Sequence, residues 1–184
     1  MIIKKFFSVL FKLIGWKSVL NEEIPSKCVF CVAPHTSNWD FVIGIIFYKS
    51  IGGTLHFLMK KEWFFFPMNL IFKSLGGIPV DRTKKSSVSE QMVTLFRSNE
   101  NLQLAIAPEG TRKKNTKWKT GFYYIALTAG VPIVLAYIDY SRKEIGLIKN
   151  FYPTGNEKQD IDEIKQYYSH IQAKHPKKFT IDNE

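Results

Sequence analysis

Polar positions recur every three or four residues along the first stretch, MIIKKFFSVLFKLIGWKSVL. Lys5, Ser8, Lys12 and Gly15 fall on one side of a helix there, and Ile3, Phe6, Phe7, Leu10, Leu13 and Ile14 gather on the other. Residues 1–20 are therefore expected to form a basic amphipathic helix with Trp16 near its boundary, although Lys17 breaks the pattern near the end. Residues 21–27 are a polar connection containing Pro25, and the period then changes. The apolar run 28–32 closes at Pro34 and reads as a buried strand, after which Thr36, Ser37 and Asn38 offer N-caps for a helix over 39–50. Similar arguments predict strands at 55–60, 76–82, 102–107, 131–140 and 144–152, and helices at 68–75, 86–98, 122–129 and 160–174. Strands alternating with helices predict an α/β fold: a mixed, largely parallel sheet flanked by helices, preceded by the N-terminal amphipathic helix. No internal repeat or low-complexity tract interrupts the pattern.

In such sheets ligands gather beyond the carboxyl ends of the strands, where His35, Arg82 and Glu109 are all expected. The stretch A-P-H-T-S-N-W-D at 33–40 puts His35 at a strand end and Asp40 one turn into the next helix. A carboxylate there accepts the Nδ1 proton of the imidazole and leaves Nε2 free to take a proton from a hydroxyl. Such a pair needs no serine or cysteine nucleophile when the substrate brings the hydroxyl. Most isolated His/Asp pairs are structural, so the pair alone does not fix the chemistry.

Two later stretches add to it. G-G-I-P-V-D-R at 76–82 and A-P-E-G-T-R at 107–112 each end an apolar run in a turn and an arginine. With H-x-x-x-x-D at 35–40 they resemble, in order and in spacing, the three blocks of the glycerolipid acyltransferase family, over about half of the chain. The resemblance implies transfer of a fatty acyl group from an acyl thioester, either acyl-CoA or acyl carrier protein. The acceptor would be the free hydroxyl of a lysophospholipid, 1-acyl-glycerol-3-phosphate first among them. His35 and Asp40 match the family's catalytic dyad, while Arg82, Glu109, Gly110, Thr111 and Arg112 match substrate-binding positions. The two arginines offer guanidinium forks for a phosphate, and Glu109 suits hydroxyl or arginine contact better than phosphate. Backbone N–H groups around residues 34–38 or a helix N-terminus are the expected oxyanion donors. Neither metal nor bound cofactor is expected. Three departures bear on the acceptor and donor: Pro34 precedes His35, V-P-I-V-L-A at 131–136 lacks the family's second proline, and the chain is short. An acceptor such as an amino-acid lipid, a hydrolase using water, and a non-catalytic basic membrane-surface protein therefore stay in contention.

Charge narrows the partners. The sequence carries 26 Lys+Arg against 16 Asp+Glu, a formal net charge of +10, which draws it to polyanions. Nucleic acid is disfavoured, because the basic residues are not interleaved with aromatics and no groove-reading motif occurs. An anionic membrane surface or an acidic carrier protein fits better, and Lys113, Lys114, Lys117 and Lys119 could attract either. Residues 1–20 are expected to lie on the membrane and 21–184 to form the acyltransferase domain, since no run reaches a spanning length. Lys12 interrupts any signal-peptide core. Cys28 and Cys31 fall on opposite faces of one strand, so they read as buried thiols, in keeping with a peripheral protein on the cytoplasmic face of the inner membrane. The aromatic run at 63–66 would either fill the core or line an acyl-chain path beside that membrane.

Overall fold

The computed structural model describes residues 2–81, 83 and 86–181. Among the described residues, six helices and seven strands follow one another as α1 (Ile2–Leu13), β1 (Lys17–Leu20), β2 (Lys27–Val32), α2 (Asn38–Ile51), β3 (His56–Lys60), α3 (Met68–Ser74) and β4 (Gly77–Val80). The remainder are α4 (Val88–Ser98), β5 (Leu102–Ile106), α5 (Gly121–Ala129), β6 (Ile133–Asp139), β7 (Glu144–Phe151) and α6 (Glu157–Gln166). The strands make one sheet in the order β1-β7-β6-β2-β5-β3-β4. Every neighbouring pair is parallel except β6 with β7. This is the mixed, largely parallel α/β sheet expected from the alternating pattern.

Period-2 alternation divides β2 between two cores. Val29 and Cys31 face a cluster with Phe96 of α4, Phe122 of α5 and Ile164 of α6. Cys28 and Phe30 face a second cluster with Phe11 of α1 and Phe47 of α2. The two thiols thus lie on opposite faces, free and buried; burial pushes the Cys28 thiol up to about 12 and raises Cys31 as well. α3 lies on the α2 side, as a right-handed β3-α3-β4 crossover requires. Phe57 and Gly77 are register partners on that face: the Phe57 ring meets Phe41 of α2, and a Cβ on Gly77 would meet the Phe64 ring and the Phe72 carbonyl.

Three elements differ from the pattern reading. The amphipathic helix ends at Leu13, because Gly15 turns into the left-handed region (φ 74°) and donates to the Lys12 carbonyl. The chain then pairs: Lys17 N–H donates to the Lys143 carbonyl at 2.9 Å, and residues 17–20 run parallel to β7. The last helix starts earlier than expected, at the N-cap Asn156. It also stops earlier, because Tyr168 is drawn inward, its ring against Trp118 and its hydroxyl donating to the Cys31 carbonyl at 2.7 Å. In the aromatic run only Phe64 turns in; Trp63, Phe65 and Phe66 are exposed and so do not belong to the core.

Candidate active site

The β2–α2 junction is built around one carboxylate. Ser37 is the N-cap of α2, and Asp40, three residues on, closes a capping box. Asp40 Oδ2 accepts from the backbone N–H of Thr36 and of Ser37, each at 2.8 Å, while Oδ1 accepts from the Tyr140 hydroxyl at 2.7 Å. The His35 Nδ1 stands 3.4 Å from Oδ2, an ion-pair separation slightly longer than a hydrogen bond. Asp40 is only 3% exposed. Burial alone would raise its pKa, but the donors from His35, Tyr140 and Ser37 outweigh it and hold the carboxyl below its ordinary value. The carboxylate is therefore ionised at neutral pH and faces Nδ1, which places the imidazole proton on Nδ1 and leaves Nε2 as the acceptor. The His35 side chain is 23% exposed, within reach of solvent and substrate.

The third block arrives from β5. The turn after Ile106 depends on Gly110, whose φ of 64° disfavours a side chain and whose Cβ would collide with the Lys119 stem. Three hydrogen bonds close it, Gly110 N–H to the Ala107 carbonyl at 3.1 Å, Lys119 N–H to the Pro108 carbonyl at 2.7 Å and Asn115 Nδ2 to the Glu109 carbonyl at 2.8 Å. Glu109 consequently points inward and is 3% exposed. Its Oε1 accepts from the His35 backbone N–H at 2.8 Å, and its Oε2 is buried with no hydrogen-bond partner among the described residues. Burial pushes its pKa up to about 7, against the lowering effect of the His35 N–H. Thr111 and Arg112 stay exposed on the rim, where the Arg112 guanidinium donates to the Asn38 side-chain oxygen and ties the third block to the first.

Of the residues expected from sequence, His35, Asp40, Glu109 and Arg112 converge, Gly110 shapes the turn and Thr111 borders it. Arg82 lies outside the described residues. The amides of residues 35–37 do not stand open as oxyanion donors: His35 gives its N–H to Glu109, and Thr36 and Ser37 give theirs to Asp40. Tyr140 went unnoticed in the sequence. It lies 100 residues from Asp40, and the cue that could have flagged it is its place at the carboxyl end of a strand.

Beside His35 and Asp40 a cavity of about 580 Å³ runs along α2, walled by Val32, Phe41, Gly44, Ile45, Phe57 and Ala105, and its far end reaches Val88 of α4 and Phe122 and Ile125 of α5. Small residues keep it open: a Cβ built on Gly44 would meet nothing within 4 Å. Among the described residues, no group of three His, Cys, Asp or Glu side chains could hold a metal ion, and no helix is long and apolar enough to cross a membrane.

An acyltransferase family model matches residues 17–139, which takes in all three blocks. The 1-acyl-sn-glycerol-3-phosphate acyltransferase of Haemophilus influenzae is 28% identical over 158 residues, covering 79% of this chain and 63% of that protein. A probable 1-acyl-sn-glycerol-3-phosphate acyltransferase of Mycoplasma pneumoniae is 33% identical over 128 residues, or 61% of this chain and 45% of that one. The chain thus spans less than two thirds of the length of these relatives. The crystal structure of the 1-acyl-sn-glycerophosphate acyltransferase PlsC from Thermotoga maritima has a similar fold, with a TM-score of 0.58 at 18% identity over 93% of this chain and 80% of that one. Two motif blocks meeting at one end of such a sheet, and a family match over most of the chain that takes in all three, place this protein in the acyltransferase family.

Proposed function

We propose that the chain moves a fatty acyl group from an acyl thioester, carried on coenzyme A or acyl carrier protein, to the free hydroxyl of 1-acylglycerol-3-phosphate. The observation that carries this reading is the buried, multiply held Asp40 facing Nδ1 of a partly exposed His35 at the edge of an apolar groove. His35 Nε2 takes the proton of the acceptor hydroxyl as its oxygen attacks the thioester carbonyl. The tetrahedral intermediate then collapses, the C–S bond breaks, and the departing thiolate takes the proton back from the imidazolium. Asp40 stabilises that imidazolium and stays ionised throughout. Glu109 holds the His35 backbone and Gly110 shapes the neighbouring rim; Thr111 and Arg112 offer the acceptor phosphate a hydroxyl and a guanidinium. Arg82 joins them on sequence grounds alone. The acyl chain occupies the groove along α2.

The same reading puts the protein on the cytoplasmic face of the cell membrane, with α1 in contact with anionic lipid and the chain from β1 onward as the transfer domain. α1 supports it: Ile3, Phe6, Val9 and Leu13 stay exposed while Phe11 packs on Phe47, and Lys4, Lys5 and Lys12 are exposed on the same helix.

Acyl transfer in detergent micelles tests this, using wild type and His35→Ala with both donors and a panel of lysolipids. Acylation of lysophosphatidate by wild type alone, with the variant still folded, is the expected result. Acylation of an amino-acid lipid instead would keep the chemistry and change the acceptor. Two equally inert proteins would leave a basic membrane-binding protein, and fatty acid released without acceptor would mark a hydrolase.

A further inference from the structure

The connection between β3 and β4 exposes more large apolar side chains than folding explains. Trp63, Phe65, Phe66, Leu70 and Ile71 are 47–80% exposed within nine residues, and α3 buries no residue fully. Contiguous apolar surface of this kind marks an interaction site on a soluble domain. We propose that residues 63–71 form a second lipid-docking element, inserting into the bilayer interface beside the groove that receives the acyl chain. The identity of that groove's ligand rests on the function proposed above.

Three observations select a lipid surface as the occupant. The first is position. The turn leaves the carboxyl end of β3, the end of the sheet that carries His35, and its inward residue Phe64 packs over Gly77, the register partner of groove-wall residue Phe57. A chain leaving the groove past Phe57 therefore meets this turn. The second is composition: a tryptophan and two phenylalanines at the tip, bordered by the exposed lysines Lys60 and Lys73, on a chain of net charge +10. Bulky aromatics with flanking lysines suit the headgroup region of an anionic bilayer, where apolar rings bury and cations stay wet. The third is alignment. α1, with its own exposed apolar stripe, packs on α2 on the same side of the sheet as α3. Two separated apolar contacts on one side fix the orientation of the domain, which a single helix would leave free to rotate.

The test is flotation of the full chain with vesicles of phosphatidylcholine and phosphatidylglycerol containing no lysolipid, for wild type, Phe65→Ser/Phe66→Ser, and the control Tyr124→Ser/Leu127→Ser. Tyr124 and Leu127 are exposed on α5, across the sheet. The first variant should bind vesicles on the order of tenfold more weakly, and the control should bind as wild type does. Acyl transfer should fall in parallel when the acceptor is embedded in vesicles and persist with a short-chain acceptor present as monomers. Wild-type vesicle affinity in Phe65→Ser/Phe66→Ser would overturn the proposal, as would a lipid-free wild type that sediments as a dimer and a variant that sediments as a monomer. Loss of vesicle binding in a wild type-versus-variant pair that shows no transfer with any donor would leave the docking element standing and sink the acyltransferase reading.

Discussion

The two faces of the sheet are packed to different ends. Toward α4, α5 and α6 the core is closed: Phe96, Phe122, Ile164 and Tyr168 are at most 1% exposed, and the Tyr168 hydroxyl is spent on a strand carbonyl. Toward α1, α2 and α3 the same strands present Phe30, Val32 and Ala105, α2 walls a cavity of about 580 Å³ whose far end reaches Val88 of α4 and Phe122 of α5, and all three helices carry exposed apolar residues. A chain of 184 residues has apolar residues enough to close both sides. The open side is a distributed feature of small residues such as Gly44 and Ala105 and of outward-facing aromatics, not a lapse in packing. One face holds the fold together and the other is kept for a ligand, and the candidate dyad sits at the strand ends where the two meet.

If that division is real, chemistry and stability should separate by face. The largest effect belongs to the seam. His35→Ala should lower kcat by about 10²–10⁴-fold with a much smaller effect on urea midpoint, because the removed group is a proton carrier at a partly exposed position. Phe96→Ala, on the closed face, should do the reverse. It should cost about 3–5 kcal/mol of unfolding free energy while activity per folded molecule stays near wild type. A Phe96 variant that instead changed acyl-chain preference would break the comparison.

Glu109 sharpens it through pH. Its folded pKa is raised from an ordinary 4.5 to about 7, so the folded protein keeps a proton that the unfolded chain gives up. That contribution is complete below the unfolded value and is lost as pH rises through about 7, which is worth up to about 3 kcal/mol. Wild type should therefore lose stability between pH 4.5 and 7.5 in urea titrations, and Glu109→Gln should flatten that slope. Asp40 has the opposite sign. Its lowered pKa contributes stability above the unfolded value and loses it as pH falls. Tyr140→Phe removes one donor, so acid unfolding should begin at higher pH, with a loss of about 1–2 kcal/mol at neutrality.

How much of this was legible depended on how local the cause was. Ser37 and Asp40 spell a capping box within four residues, and Pro34 and Gly110 punctuate the two turns, so the first and third blocks could be placed from the sequence. The same S-x-x-D spacing also says that the turn's amides are occupied, a consequence available from the sequence but masked by the idea of an oxyanion site. β1 could not be read. Its four residues, Lys17–Leu20, carry no period, and their strand exists only because β7, more than 120 residues on, supplies the edge. Tyr140 is similarly remote from Asp40. The open face was the least legible feature, because a groove is a property of what two elements fail to fill.

The smallest effect tests that groove most directly. Gly44 lies inside α2, where glycine is unfavourable by about 1 kcal/mol relative to alanine, and a Cβ there meets nothing within 4 Å. Gly44→Ala should therefore stabilise the protein by up to about 1 kcal/mol and leave chain-length preference almost unchanged. Gly44→Leu has nearly the same helix propensity but projects a branched side chain into the cavity. It should gain similar stability while shifting the preferred acyl donor to shorter chains, read by competing donors of several lengths in one assay. Stability gained and long-chain transfer lost in the same variant would separate the two roles at a single position. If Gly44→Leu handled long chains as wild type does, the acyl chain would have to run elsewhere, and the open face would belong to the membrane alone.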